Sequence, residues 1–154
     1  MAQVMKMLRR DTARRGGGLA ALRLRAMQQV DQQAEAVRLA HLTPGAGQMW
    51  VYGEKARQAQ ACLQAGPAAK SQQYPLVAAR AAVMGCALLE AAGQILRRYQ
   101  QWVVLAAVVE REREAAKARI RLARSQKALG AIVAETLDAL DMLRMAEGNE
   151  IPLP

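Results

Sequence analysis

The chain is 154 residues long, 53% hydrophobic and 23% charged, a length and composition suited to one folded domain and not to a disordered segment. Trp50, Tyr52, Tyr74, Tyr99 and Trp102 are its whole aromatic set, and phenylalanine is absent. So few residues suited to a pleated surface argue against a sandwich, barrel or doubly wound sheet, and the wealth of alanine, leucine, arginine and glutamine predicts an all-α fold. The net charge of +9 is concentrated at the start, where residues 1–25 carry seven basic side chains against Asp11 alone.

Residues 1–18 read as a basic arm and glycine hinge. Met1, Val4, Met5 and Leu8 share one side at helical spacing, and Gly16-Gly17-Gly18 interrupts the pattern. Each of those glycines costs a helix about 1 kcal/mol relative to alanine. Lys6, Arg9, Arg10, Arg14 and Arg15 can contact an anionic partner: nucleic acid, an anionic membrane or an acidic protein face. An arginine-rich start also has the composition of a mitochondrial presequence. The expectation here is a soluble protein with an intact start.

From Leu19 the apolar positions Leu19, Leu22, Ala26, Val30, Ala34 and Val37 step by three and four, a one-faced helical stripe. Leu42-Thr43-Pro44-Gly45 stops it, with Thr43 as N-cap and Pro44 as first residue of a second helix. That helix carries Met49, Tyr52, Ala56, Ala59 and Leu63. Two helices joined by a short turn predict an N-terminal αα-hairpin over about 19–65. A loop over 66–75 precedes a short helix opened by Pro75 and closed by Gly85, the asymmetry expected of a helical unit. Residues 19–85 thus form a hairpin plus a short helix.

Residues 86–127 predict one long helix. Leu88, Ala92, Ile95, Tyr99, Trp102, Ala106 and Val109 step alternately by four and three, the heptad seam of a left-handed coiled coil, which continues through Arg113, Ala116, Ile120 and Ala123. Such a helix would be roughly 60 Å long at about 1.5 Å per residue, against roughly 40 Å for a compact globule of this length. The molecule is therefore expected to be elongated, or to pair its long helix with another copy or another protein. Tyr99 and Trp102, with Leu88, Ile95 and Val109, are the candidate partner interface, since Trp and Tyr are common interface anchors. Near Ser125–Gly130 the phase slips, before a new stripe of Leu129, Val133, Thr136, Leu140 and Leu143, with Gly130 at the slip, so a kink or break is expected there. Residues 128–154 complete the chain as a C-terminal helix and extended tail.

Chemistry-bearing residues are sparse. Cys62, Cys86 and His41 do not make a four-ligand zinc set. The two cysteines read as small buried hydrophobes, and His41 as a helix-end residue without a nucleophile. Glu110, Glu112 and Glu114 alternate with Arg111 and Arg113; such neighbours point in different directions on a helix and read as a solvated charged face. Neither Gly16–Gly18 nor Thr43-Pro44-Gly45-Ala46-Gly47 has the lysine of a phosphate loop. No apolar run reaches the length of a membrane span. No enzyme activity, cofactor or metal is expected. Arg119, Arg121, Arg124 and Lys127 form a second basic group, but neither group has aromatic residues interleaved for base stacking.

The order of segments resembles a pattern in tail-associated proteins of tailed phages and prophages. It is carried by Val30-Asp31-Gln32-Gln33-Ala34-Glu35, Arg38, Leu42-Thr43-Pro44-Gly45-Ala46-Gly47-Gln48 and Tyr52-Gly53-Glu54-Lys55-Ala56-Arg57-Gln58-Ala59. It continues through Tyr74-Pro75-Leu76-Val77-Ala78, Gly85, Ala91, Ile95, Trp102, Glu110, Arg113, Lys117 and Ile120, covering about residues 28–124. Cys86 stands where that pattern has a Ser or Thr helix cap. The resemblance implies a tail-fibre or baseplate-associated structural protein of the virion, assembled in the bacterial host cytoplasm, with other tail proteins as partners and self-association as a homo-oligomer. A nucleic-acid-binding helical module using the basic arm is the alternative.

Overall fold

A stripe of apolar residues at helical spacing needs a partner surface, and five such stripes become five helices. The computed structural model of the chain describes residues 18–42 and 47–145. Among these residues the fold is all-α, with no strand. The helices are α1 (Leu19–Ala40), α2 (Gln48–Ala65), α3 (Pro75–Met84), α4 (Leu88–Leu122) and α5 (Gln126–Met145). Two 3-10 turns, Gly66–Ala68 and Ser71–Gln73, lie between α2 and α3. The described chain forms two compact units. One holds α1, α5 and the part of α4 from Ala107 onward; the other runs from His41 to Ala106. The basic arm and the extended tail lie outside the described residues.

In the first unit, Ala26 and Val30 of α1 pack with Ala116, Ile120 and Ala123 and with Leu129 of α5. Leu22, Met27, Ile132 and Val133 surround them. Small side chains let the helices approach closely. The stripe read from α1 is the buried one: Ala26, Val30, Ala34 and Val37 are all buried. On α5, Leu129, Thr136 and Leu140 are buried, and the Thr136 hydroxyl donates to the Ile132 carbonyl at 2.7 Å. Arg23 donates from Nε and Nη2 to the Ala123 carbonyl at 3.2 and 2.6 Å, satisfying a carbonyl that the helix end leaves without an amide.

The break expected near Ser125–Gly130 falls at the start of that stretch and not at Gly130. α4 ends at Leu122 and α5 begins at Gln126, with Ser125 Oγ accepting the Ala128 N–H at 3.1 Å, the bond of an N-cap. Gly130 therefore lies inside α5.

In the second unit, Ala59 and Cys62 of α2, Val77 and Ala81 of α3, and Ala91 and Ala92 of α4 form the core. α2 starts at Gln48 with Gly47 before it and no side-chain cap, instead of at Pro44; Thr43 and Pro44 lie outside the described residues. Its buried face ends on Cys62, not on Leu63, which is exposed. Cys86 is half-buried beside that core. Pro75 opens α3, and Gly85 ends it at φ 61°, with the Cys86 N–H donating to the Ala81 carbonyl at 3.1 Å. Only glycine adopts that left-handed conformation without strain. The chain then turns through 102° into α4.

Two substitutions test this packing in opposite directions. Ile120→Ala empties a fully buried position and should lower the unfolding free energy by about 3 kcal/mol. Gly130→Ala puts a methyl where no atom lies within 4 Å and should raise it by about 0.5–1 kcal/mol. Urea denaturation of both variants measures each change.

Candidate functional site

The charged residues of α4 meet those of α1 across the first unit. Asp31 accepts from Arg113 Nη1 at 2.8 Å and from Lys117 Nζ at 2.9 Å on both carboxylate oxygens. Glu110 accepts from Arg113 at 3.0 and 2.6 Å and from Arg38 Nη2 at 2.5 Å. Hydrogen bonds from Lys117 first, then Arg113, hold the Asp31 carboxyl below its ordinary 3.8. Arg113 does the same for Glu110, and both carboxylates raise the Arg113 guanidinium. The Glu110 run is thus more than a solvated face. Glu112 pairs with its neighbour Arg111, and Glu114 with Arg113, while Glu110 ties α4 to α1. These carboxylates are engaged by cations and fix helix against helix.

A second network holds the start of α3. Buried Gln58 accepts the Leu76 N–H at 2.9 Å and donates to Glu54 at 2.9 Å. Glu54 also takes Arg57 Nε and Nη2 at 2.8 and 2.7 Å. Arg57 above all, then Gln58, lowers the Glu54 carboxyl to about 2. The Tyr74 hydroxyl donates to the Ala61 carbonyl at 3.5 Å. Burial raises the Cys62 thiol, which keeps it protonated and unreactive.

Within the same unit a cavity of 520 Å³ opens among α2, α3 and α4. Heptad spacing on α4 brings Ile95, Tyr99 and Trp102 to one wall, and Tyr52 of α2 joins them. The Tyr99 and Trp102 rings lie 6.1 Å apart, tilted by 33°. Trp102 Nε1 is buried and donates to no acceptor. Lys55, Arg80 and Arg98, one from each helix, line the same space. Among the described residues none of the three is paired with a carboxylate.

The candidate interface residues therefore part company. Ile95, Tyr99 and Trp102 meet at the cavity. Leu88 packs at the edge of the second unit's core. Val109 is fully buried in the first unit, so it is a core residue and not part of an open seam; the heptad stripe that named it is shared between two interiors. Lys6, Arg9, Arg10, Arg14 and Arg15 lie outside the described residues. His41, directly after α1, also lines the cavity. Arg119 pairs with Glu135 at 2.6 Å. None of Lys55, Arg80 and Arg98 stands out as a site residue in the sequence, although Lys55 belongs to the Tyr52–Ala59 segment of the resemblance. Arg98 was within reach, since it shares a helical face with Ile95 and Trp102; Arg80 joins the wall only through the packing of α3.

Among the described residues no three His, Cys, Asp or Glu side chains gather to hold a metal ion. No single helix among them is long and apolar enough to cross a membrane. No family model, curated protein or solved structure matches the chain.

Asp31 sets the pH response of the first network. Its folded pKa is depressed, so its stabilisation is complete above the unfolded carboxylate range near pH 4 and is lost as the pH falls through the lower folded value. The carboxylate is 42% exposed, which limits the pair to about 1 kcal/mol at neutral pH. Asp31→Asn should lose that amount at pH 7 and show a shallower decline of stability between pH 5 and 3 than the parent. Urea unfolding across that range measures both.

Proposed function

We propose that this chain is a non-enzymatic structural or assembly component of a phage tail, placed with the tail fibre or baseplate in the virion. It works by docking helices onto other tail proteins and by self-association. The sequence resemblance over about residues 28–124 supports this reading, and several residues that carry it have structural work of their own. Asp31, Arg38, Glu110, Arg113 and Lys117 are partners in the ion-pair network of the first unit. Gln58 and Leu76 are joined at the start of α3.

The observation that carries the proposal is Trp50. It stands 72% exposed near the start of α2, beside Met49 at 47%. Tryptophan left in water forfeits a large apolar area, and at interfaces it is a preferred anchor. Val103 of α4 and Val83 and Met84 of α3 are exposed in the same unit. In the assembled state the half-buried heptad residues Leu88, Ile95, Tyr99 and Trp102 offer the rest of a coiled-coil surface. The nucleic-acid alternative draws on exposed Arg121, Arg124 and Lys127, which have no carboxylate partner among the described residues.

Light scattering on a size-exclusion column tests the proposal. The parent should show a mass above the monomer that rises with concentration. Trp50→Ser should shift it toward the monomer while changing unfolding free energy by no more than about 0.5 kcal/mol. A monomer at all concentrations that also fails to co-purify with tail proteins would overturn the reading. Salt-sensitive binding of duplex DNA by that monomer would favour the alternative.

A further inference from the structure

We propose that the cavity of the second unit binds a small phosphorylated molecule that carries a planar ring. The ring lies against Tyr99 and Trp102, and Lys55, Arg80 and Arg98 hold the phosphate. The inference does not need the tail-assembly reading, since it rests on one cavity inside one unit; a ligand there occupies the face that Ile95, Tyr99 and Trp102 would otherwise offer to a partner helix.

Charge is the first argument. Three cations from three helices line one space, and among the described residues no carboxylate lines it with them. Arg38, Arg57, Arg113, Lys117 and Arg119 all have acidic partners, and the unpaired Arg121, Arg124 and Lys127 stand in solvent, whereas these three cations share one recess. Like charges gathered without a counterion repel one another, and a bound anion relieves that repulsion. Two arginines and a lysine offer more donors than one carboxylate can use, and the guanidinium fork matches phosphate oxygens.

The wall supplies the second argument. Three of the five aromatic residues in the chain border this cavity, and rings favour stacked or edge-on contact with another ring. Trp102 buries an N–H without an acceptor, a costly state in a folded protein, and a polar ring atom can relieve it once the indole adjusts. Space is the third argument. At 520 Å³ the cavity is within the range of small-molecule sites. Gly53 lines it from inside α2, where no atom lies within 4 Å of the place a Cβ would occupy. Glycine there weakens the helix relative to alanine and keeps the space open.

Titration of the full chain with phenyl phosphate, followed by the indole N–H signals in a proton–nitrogen correlation spectrum, tests the proposal. The chain has two tryptophans, and Trp50→Phe assigns the signal of Trp102. A saturable shift of that signal is expected, with phenol and inorganic phosphate each binding at least about tenfold more weakly because each lacks one half of the ligand. Arg98→Gln alters an exposed side chain with no partner among the described residues, and it should weaken phenyl phosphate about tenfold without moving the melting midpoint. Gly53→Leu should fill the cavity and abolish the shift. A shift that grows linearly without saturation, an equal response to inorganic phosphate alone, or phenol binding as tightly as phenyl phosphate would each overturn the proposal.

Discussion

Close contact between small side chains governs this molecule. Alanine supplies much of both interiors: Ala26, Ala34, Ala116 and Ala123 in one unit, Ala56, Ala59, Ala81, Ala91 and Ala92 in the other. Alanine buries little area per residue, so helices built on it stabilise one another only where their backbones come near. Branched side chains such as Val30, Val77 and Ile120 fill the space between them. No aromatic ring belongs to the buried cores. All five aromatic residues instead fall between positions 50 and 102, in the unit that carries the cavity. There one stands out in solvent and three border the opening.

The two units treat charge differently, and that difference follows from what each helix meets. In the first unit α1 presents Asp31 and Arg38 to a face of α4 bearing Glu110, Arg113 and Lys117, and opposite charges coincide. Each pair there is partly exposed and individually weak, but together they fix how the α1 and α4 faces align. In the second unit Glu54 is engaged by Arg57 and Gln58 on its own helix, which leaves no acidic group of α2 for the cations at the cavity. Structure-building charges are matched; cavity charges are not.

Much of the helical frame was legible in the sequence. The stripe from Ala26 to Val37 is the buried face of α1, and Pro75 and Gly85 bound α3. These signals are local, since periodicity and backbone preference act within a few residues. What depended on distant partners was not legible. The choice of Cys62 over Leu63 as the end of the α2 face depends on where α3 and α4 lie. The α4–α5 break sits at Ala123–Ser125, where Ser125 caps and Arg23 covers a carbonyl contributed 100 residues away; the phase slip near Ser125–Gly130 is a local signal of that break, but the contact from Arg23 leaves no trace in the pattern. Val109 looked like one more seam position because a heptad pattern does not say which partner covers each turn. Arg80 has no periodic signature at all, and its place at the cavity is a product of tertiary packing.

The central claim is that the aromatic residues outside the cores enclose a positively charged recess and not merely a leftover gap. Tryptophan-selective fluorescence quenching in the Trp50→Phe variant, where Trp102 is the sole tryptophan, tests it directly. Normalised to the quenching of free N-acetyltryptophanamide by the same ion, iodide should quench Trp102 more efficiently than caesium, because Lys55, Arg80 and Arg98 concentrate anions at the ring, and added salt should narrow the difference. Equal normalised quenching by iodide and caesium at low salt would contradict the account.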